Sequence, residues 1–254
     1  MKDPIGRFDG RAEDYARYRP GYPVQLAEIL ERDAGLCEES AVADIGSGTG
    51  ILAELLLERG TTVYCVEPNR EMRKIAEKNL KRYAPKFVSV NGTAEATGLA
   101  AEAVDLVTVG QALHWFEPER ASREFQRILR EGGSVAVVYN HRRETGEVEE
   151  AVGRIVRECE RDKADVPDVD DEYVARFLGN RGFRKWAMAN GQTLDAKGML
   201  GRLASASYMP RPGTPGWKGV EREVHAFFAG RREELVTLHY DTVLYLGQVT
   251  PRQP

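Results

Sequence analysis

No run of about 18 uninterrupted apolar residues, the length a membrane-crossing helix needs, occurs anywhere in the 254-residue sequence. The amino-terminal stretch MKDPIGRFDG also lacks the apolar centre of a secretory signal. A cytoplasmic protein without membrane attachment is therefore expected. Cysteine is scarce: Cys37, Cys65 and Cys159 are scattered, form no CxxC pair, and share the chain with only four histidines. That spacing excludes a disulfide framework and a zinc cluster, so no metal site is expected. Positive charge is not in excess either, the formal net charge being -4. Broad nucleic-acid or anionic-membrane binding needs a basic face, and no such partner is expected. Internal repeats and low-complexity segments are absent as well.

What is present is an alternation of β-branched apolar runs with amphipathic helical patterns, the signature of βαβ units. Strands are expected at Val42–Ile45, Thr62–Val66, Phe87–Val90, Val104–Val109 and Ser134–Tyr139. Helices are expected at Ile51–Arg59, Glu71–Tyr83 and Pro118–Arg130, with Gly60 and the pair Gly132-Gly133 as stops. In LVTLHYDTVLYLGQV two short alternating stretches flank Asp241, which reads as a tight turn joining an antiparallel pair. The expected fold is α/β and Rossmann-like, a seven-stranded, mostly parallel sheet with its last strand antiparallel and helices on both faces. Residues 1–254 read as a single domain, monomeric or homodimeric. Residues 1–38 form a helical lid segment broken at Pro20-Gly21 and Pro23. Residues 141–215 are expected as a helical insertion capping the site after the fifth strand, with helices near Glu147–Arg161 and Lys197–Ala206 around the acidic stretch DVPDVDDE. Another helix is expected near Val220–Arg232.

The first strand ends in VADIGSGTG, with glycines at 46, 48 and 50. Open parallel sheets bind ligands beyond the carboxyl ends of their strands, where strand order reverses. Glycines there let a ligand approach main-chain NH groups with no Cβ in the way. A dinucleotide fingerprint wants G-x-G-x-x-G, but Ile51 occupies the third glycine's place; a P-loop wants Gly-Lys-Ser/Thr, and no lysine follows. About twenty residues on, Glu67 ends the second strand, where a carboxylate can accept ribose hydroxyls.

The E/DxGxGxG pattern resembles class I S-adenosylmethionine-dependent methyltransferases. With FDGRAEDYARYRPGYP, QALHWF, LASASYMP and VLYLGQV, the chain resembles the methyltransferase type 11 group, including its trans-aconitate-methyltransferase-like branch. The resemblance implies a methionine end formed by Asp44, Gly46, Ser47, Gly48 and Gly50, a ribose ligand at Glu67, and Pro68 and Asn69 edging the adenosine. Many relatives carry an aspartate where this chain has Thr93; its hydroxyl and the backbone of Ala94 stand in for that contact. Arg19 would pair with the methionine carboxylate and Gln111 with the amino-acid end. Tyr15, Tyr18, His114, Trp115, Tyr139, Ser207 and Tyr208 would line the acceptor pocket, with His114 as the candidate base. The implied activity is methyl transfer from S-adenosylmethionine to a small molecule, with a carboxylate or hydroxyl as accepting group and S-adenosylhomocysteine as product. A non-catalytic S-adenosylmethionine-binding protein and an NAD-dependent oxidoreductase are the alternatives.

Overall fold

The computed structural model describes residues 10–159, 169–179, 182–229 and 231–249. Two helices, α1 (Ala12–Tyr18) and α2 (Gln25–Ala34), precede the sheet. Then follow β1 (Ala41–Ile45), α3 (Ile51–Leu57), β2 (Thr62–Val66), α4 (Arg70–Leu80), β3 (Phe87–Val90), β4 (Val104–Gly110), α5 (Pro118–Ile128) and β5 (Leu129–Arg142). The carboxyl half adds α6 (Glu147–Cys159), α7 (Asp171–Leu178), β6 (Phe183–Leu194), α8 (Ala196–Ala204), α9 (Pro215–Ala229) and β7 (Val236–Gly247).

The seven strands lie in the order β3-β2-β1-β4-β5-β7-β6, and only β7 runs against the rest. Strand order reverses between β1 and β4, so a crevice opens at their carboxyl ends. Neighbouring positions on a strand face opposite sides, and burial follows that alternation. Val42, Leu106 and Val138 join α2, α3 and α4 in one core, while Ala43, Val107 and Val137 join α5 and α7 in the other. The expected seven-stranded sheet with helices on both faces is thus observed. A third cluster packs α6, α8 and α9 through Val152, Val156, Leu203, Trp217 and Val220 against Leu238 and Tyr240 of β7.

Three expectations need correction. Asp241 is not a turn: β7 runs through it, paired with His141 on one side and Ala189 on the other. Its carboxylate faces outward and takes Arg143 Nη2 at 2.8 Å. The antiparallel partner comes from residues 183–194, so the segment 141–215 is not wholly helical. Being at the sheet edge, β6 leaves one flank to solvent, and its Arg184 and Lys185 suit an edge strand. Finally, Gly132-Gly133 do not stop a helix. The helix α5 ends at Ile128, and the glycines sit where the β4–β5 register shifts between Val104 and Leu106. Of the expected helices Glu147–Arg161 and Val220–Arg232, residues 160, 161 and 230 lie outside the described residues, as does the first half of DVPDVDDE.

Candidate active site

The candidate site begins with the turn after β1. Gly46 adopts φ +67°, and a Cβ on it would lie 2.8 Å from Ala112 Cβ, so only glycine fits between the turn and the β4 side of the crevice. The NH groups of Gly46 and Ser47 donate to Val66 O, which ties the turn to the end of β2. Gly50 has a different role from the one expected. It is the left-handed N-cap of α3, where a Cβ would strike Leu80, and it does not line the cleft.

Glu67 is held in a fixed pose just beyond β2. Its Oε2 accepts from Gly48 NH at 2.9 Å and its Oε1 from Asn69 NH at 2.8 Å. Only 8% of its surface is exposed, and burial raises its pKa. Asn69 in turn caps α4 through Glu71 NH and Met72 NH, which fixes the direction in which that helix leaves the cleft. Glu67, Pro68, Asn69, Met72, Thr93 and Ala94 line a cavity of about 340 Å³, within the usual size range of small-molecule sites. Glu95 ties its loop to the start of α5 by accepting from Glu117 NH at 2.8 Å.

Beneath the turn lies Asp44, 1% exposed. Its Oδ1 accepts from Thr108 Oγ1 at 2.8 Å, across the β1–β4 register pair of the same two residues. Its Oδ2 is buried and makes no side-chain hydrogen bond among the described residues, with the backbone NH of Ala53 in the first turn of α3 directed toward the carboxylate. Burial, with the nearby Glu67 charge, pushes its pKa up to about 7, against the bond from Thr108. A buried carboxylate with one oxygen free of side-chain bonds is a seat for a cationic group.

A second cavity of about 430 Å³ adjoins the first; Tyr15, Gly46, Gly110, Gln111 and Trp115 line both. Gln111, just after β4, holds φ +58°, a left-handed conformation uncommon for a non-glycine residue. Its NH is pinned to Val138 O at 2.9 Å. After it, a 3-10 turn at Leu113–Trp115 carries His114 and Trp115. His114 Nδ1 lies 2.9 Å from Tyr139 Oη, and the backbone NH groups of His114 and Leu113 also bond the tyrosine oxygen. Burial and those neighbours place the Tyr139 pKa far above its ordinary value. Which of the two groups donates follows the imidazole tautomer, and either way the contact fixes the ring of His114 at the cavity wall.

The second cavity also receives Arg19, Arg202, Ser207 and Tyr208. The segment bearing Arg19 is fastened by a residue that sequence reasoning missed. Arg11, 6% exposed, donates Nη1 to Ala204 O and Ala206 O and Nη2 to Met209 O, clasping the end of α8. Arg19 adds a bond from Nη2 to Ser205 O and stacks over Tyr15, 4.7 Å from the ring centroid. Tyr22, on the same amino-terminal segment, walls the second cavity, and its hydroxyl occupies the place a Cβ on Gly110 would need. Tyr18 does not face either cavity. Its ring fills the space over Gly201, where α1 packs on α8. The cleft thus gathers every expected site residue except Gly50 and Tyr18.

Residues 43–137 match a family model described as a methyltransferase domain. An uncharacterized methyltransferase of Mycobacterium tuberculosis is 38% identical over 151 residues, which span 58% of this chain and 59% of that relative's own length. An uncharacterized methyltransferase-like protein of Schizosaccharomyces pombe is 30% identical over 182 residues, 70% of this chain and 67% of the relative. A structure described as a type II methyltransferase from Anaeromyxobacter dehalogenans shares the fold, with TM-score 0.68 and 23% identity over 92% of this chain and 100% of that one. The sheet order, the glycine turn and these relatives agree that the chain belongs to the class I S-adenosylmethionine-dependent methyltransferase family.

Proposed function

We propose that the chain transfers a methyl group from S-adenosylmethionine to a small-molecule acceptor by in-line displacement. The observation that carries this reading is the pair of adjoining cavities that meet at Gly46, Gln111 and Trp115, one suited to a cofactor and the other to an acceptor. The residues fit the cofactor on this chain's own geometry: Asp44 keeps a buried oxygen without a side-chain partner for an ammonium, and Gly46 leaves room that a Cβ would fill. Glu67 has both carboxylate oxygens preset by backbone NH groups, with lone pairs left for a ribose diol. Pro68, Asn69, Thr93 and Ala94 would surround the base, while Ser47, Arg19 and Gln111 would hold the methionine end.

When bound, the cofactor supplies an electrophilic methyl group on a positively charged sulfur. The acceptor's lone pair would take the methyl group in line as its bond to sulfur breaks, leaving a neutral thioether. The protein's task is to position the acceptor and keep water out. Trp115 and Tyr15 wall the junction where transfer would occur, and α1 closes over it through the Arg11 clasp. His114, held by Tyr139 at the wall of the second cavity, would orient the acceptor. An acceptor that is already ionised needs no base.

A screen of metabolites for release of S-adenosylhomocysteine tests this function. Turnover with at least one acceptor is expected. Binding of S-adenosylhomocysteine without turnover on any compound would favour a non-catalytic binding protein.

A further inference from the structure

We infer that Arg73, which lines neither cavity, is a positioning residue for the cofactor: it holds the main chain at Glu67 and Pro68 so that the Glu67 carboxylate meets the ribose diol. This rests on the reading of the first cavity as the S-adenosylmethionine site. Arg73 lies near the start of α4, and its Nη1 donates to Glu67 O and to Pro68 O, each at 2.8 Å.

The bonds around the helix cap explain why a side chain is needed there. In a helix, the NH groups of Glu71 and Met72 would reach four residues back, to the carbonyls of Glu67 and Pro68. Both NH groups are instead taken by Asn69 Oδ1, at 2.9 and 3.0 Å. The helical ladder begins with Arg73 NH on Asn69 O at 3.0 Å, so it supplies no donor to either carbonyl. One guanidinium nitrogen replaces the two diverted donors. The segment it fixes contains Asn69 NH, which holds Glu67 Oε1, while Gly48 NH of the glycine turn holds Oε2. The carboxylate is thereby aimed from outside the cavity it faces.

Arg73 also acts on the charge of the residue it positions. Burial raises the Glu67 pKa, and the bonds from Asn69 and Gly48 and the Arg73 charge work against that rise. Asp44 beneath the turn is a negative neighbour of Glu67, and Glu95 and Glu117 line the same cavity. Those two glutamates hold NH groups at the entrance to α5. Arg73 is thus the cation that favours ionised Glu67, the form whose oxygens are all acceptors for the two ribose hydroxyls.

The test is calorimetric titration of the full chain with S-adenosylhomocysteine between pH 5 and pH 8. It compares the native chain, Arg73→Gln, Arg73→Lys, Glu67→Gln and the double variant Glu67→Gln/Arg73→Gln. Arg73→Gln should weaken binding at least about fivefold at pH 8, the size of a lost hydrogen bond to the site. The loss should grow toward pH 5, because Glu67 without the nearby cation takes up its proton at higher pH. Asp44 titrates in every one of these chains, so the ratio of each variant to the native chain at one pH isolates the Arg73 effect. Arg73→Lys keeps the charge and should lose affinity at pH 8 without the added loss at low pH. In the Glu67→Gln background, Arg73→Gln should cost less than about twofold, the non-additivity of residues that act as a pair. An Arg73→Gln affinity within twofold of native would overturn the inference. So would an equal loss in the two backgrounds, which is what general loosening of the α4 entrance gives. If Arg73→Gln does not fold, Arg73→Lys in both backgrounds makes the same decision: a loss confined to the native background supports the inference and an equal loss overturns it. Failure of S-adenosylhomocysteine to bind the native chain would instead sink the cofactor reading itself.

Discussion

Asp44 lies beneath the glycine turn with one oxygen satisfied and the other buried without a side-chain partner, and its titration has a calculable consequence. Its pKa stands at about 7 against an ordinary 3.8, a gap of roughly 3 units or about 4 kcal/mol between protonation states. Because the folded-state value is raised, the folded chain holds this proton more tightly than the unfolded chain. Stability from this group is full below about pH 4, falls as pH rises, and is lost above about pH 7. Asp44→Asn keeps an acceptor for the Thr108 hydroxyl and removes the titration. In urea unfolding without cofactor, the stability of Asp44→Asn relative to the native chain should increase by about 2 to 3 kcal/mol between pH 5 and pH 8. The same site, if it receives an ammonium, must give up its proton to do so. Cofactor Kd should therefore weaken by about tenfold for each pH unit below 7. A stability difference independent of pH would refute the reasoning, because Asp44 would then titrate like an exposed carboxylate.

Other residues give further expectations. Glu67→Ala should weaken S-adenosylhomocysteine by about 1.5 to 3 kcal/mol, as for a lost charge-assisted hydrogen bond; an unchanged Kd would remove Glu67 from the site. Gly46→Ala should cost about 1 to 3 kcal/mol of urea stability and lower cofactor affinity, since its φ of +67° and the 2.8 Å approach to Ala112 both oppose a side chain. Wild-type values for both would mean that the turn tolerates a Cβ. His114→Asn should reduce turnover by less than about a hundredfold and leave the pH–rate profile without a lost limb near neutrality; a larger loss with a changed limb would restore His114 as a base.

What was legible in the sequence was local. VADIGSGTG shows a buried strand and its turn within a few residues, and Glu67 follows at a spacing fixed by one helix and one strand. Those elements fold where the pattern puts them because the apolar alternation and the glycine positions act over short range. What escaped depends on pairing across the chain. The stretch FRKWAMANGQTL has charges and an exposed flank, so its strand character comes from twelve register partners on β7, from Phe183 opposite Gly247 to Leu194 opposite Val236. Asp241 resembles a turn residue until two neighbouring strands hold it extended. Arg11 looks like any surface arginine until the carbonyls at the end of α8 converge on it. Tyr18 and Gly50 had the right composition for a site, but one faces α8 and the other packs α3 against Leu80.

The reading of the glycine turn stands or falls on which cofactor the first cavity takes. Calorimetric titration of the unmodified chain with S-adenosylhomocysteine and, separately, with NADH measures this directly. The structure predicts one saturable site for S-adenosylhomocysteine, lost in proportion in Glu67→Ala, and no heat from NADH. Saturable NADH binding with none for S-adenosylhomocysteine would contradict it.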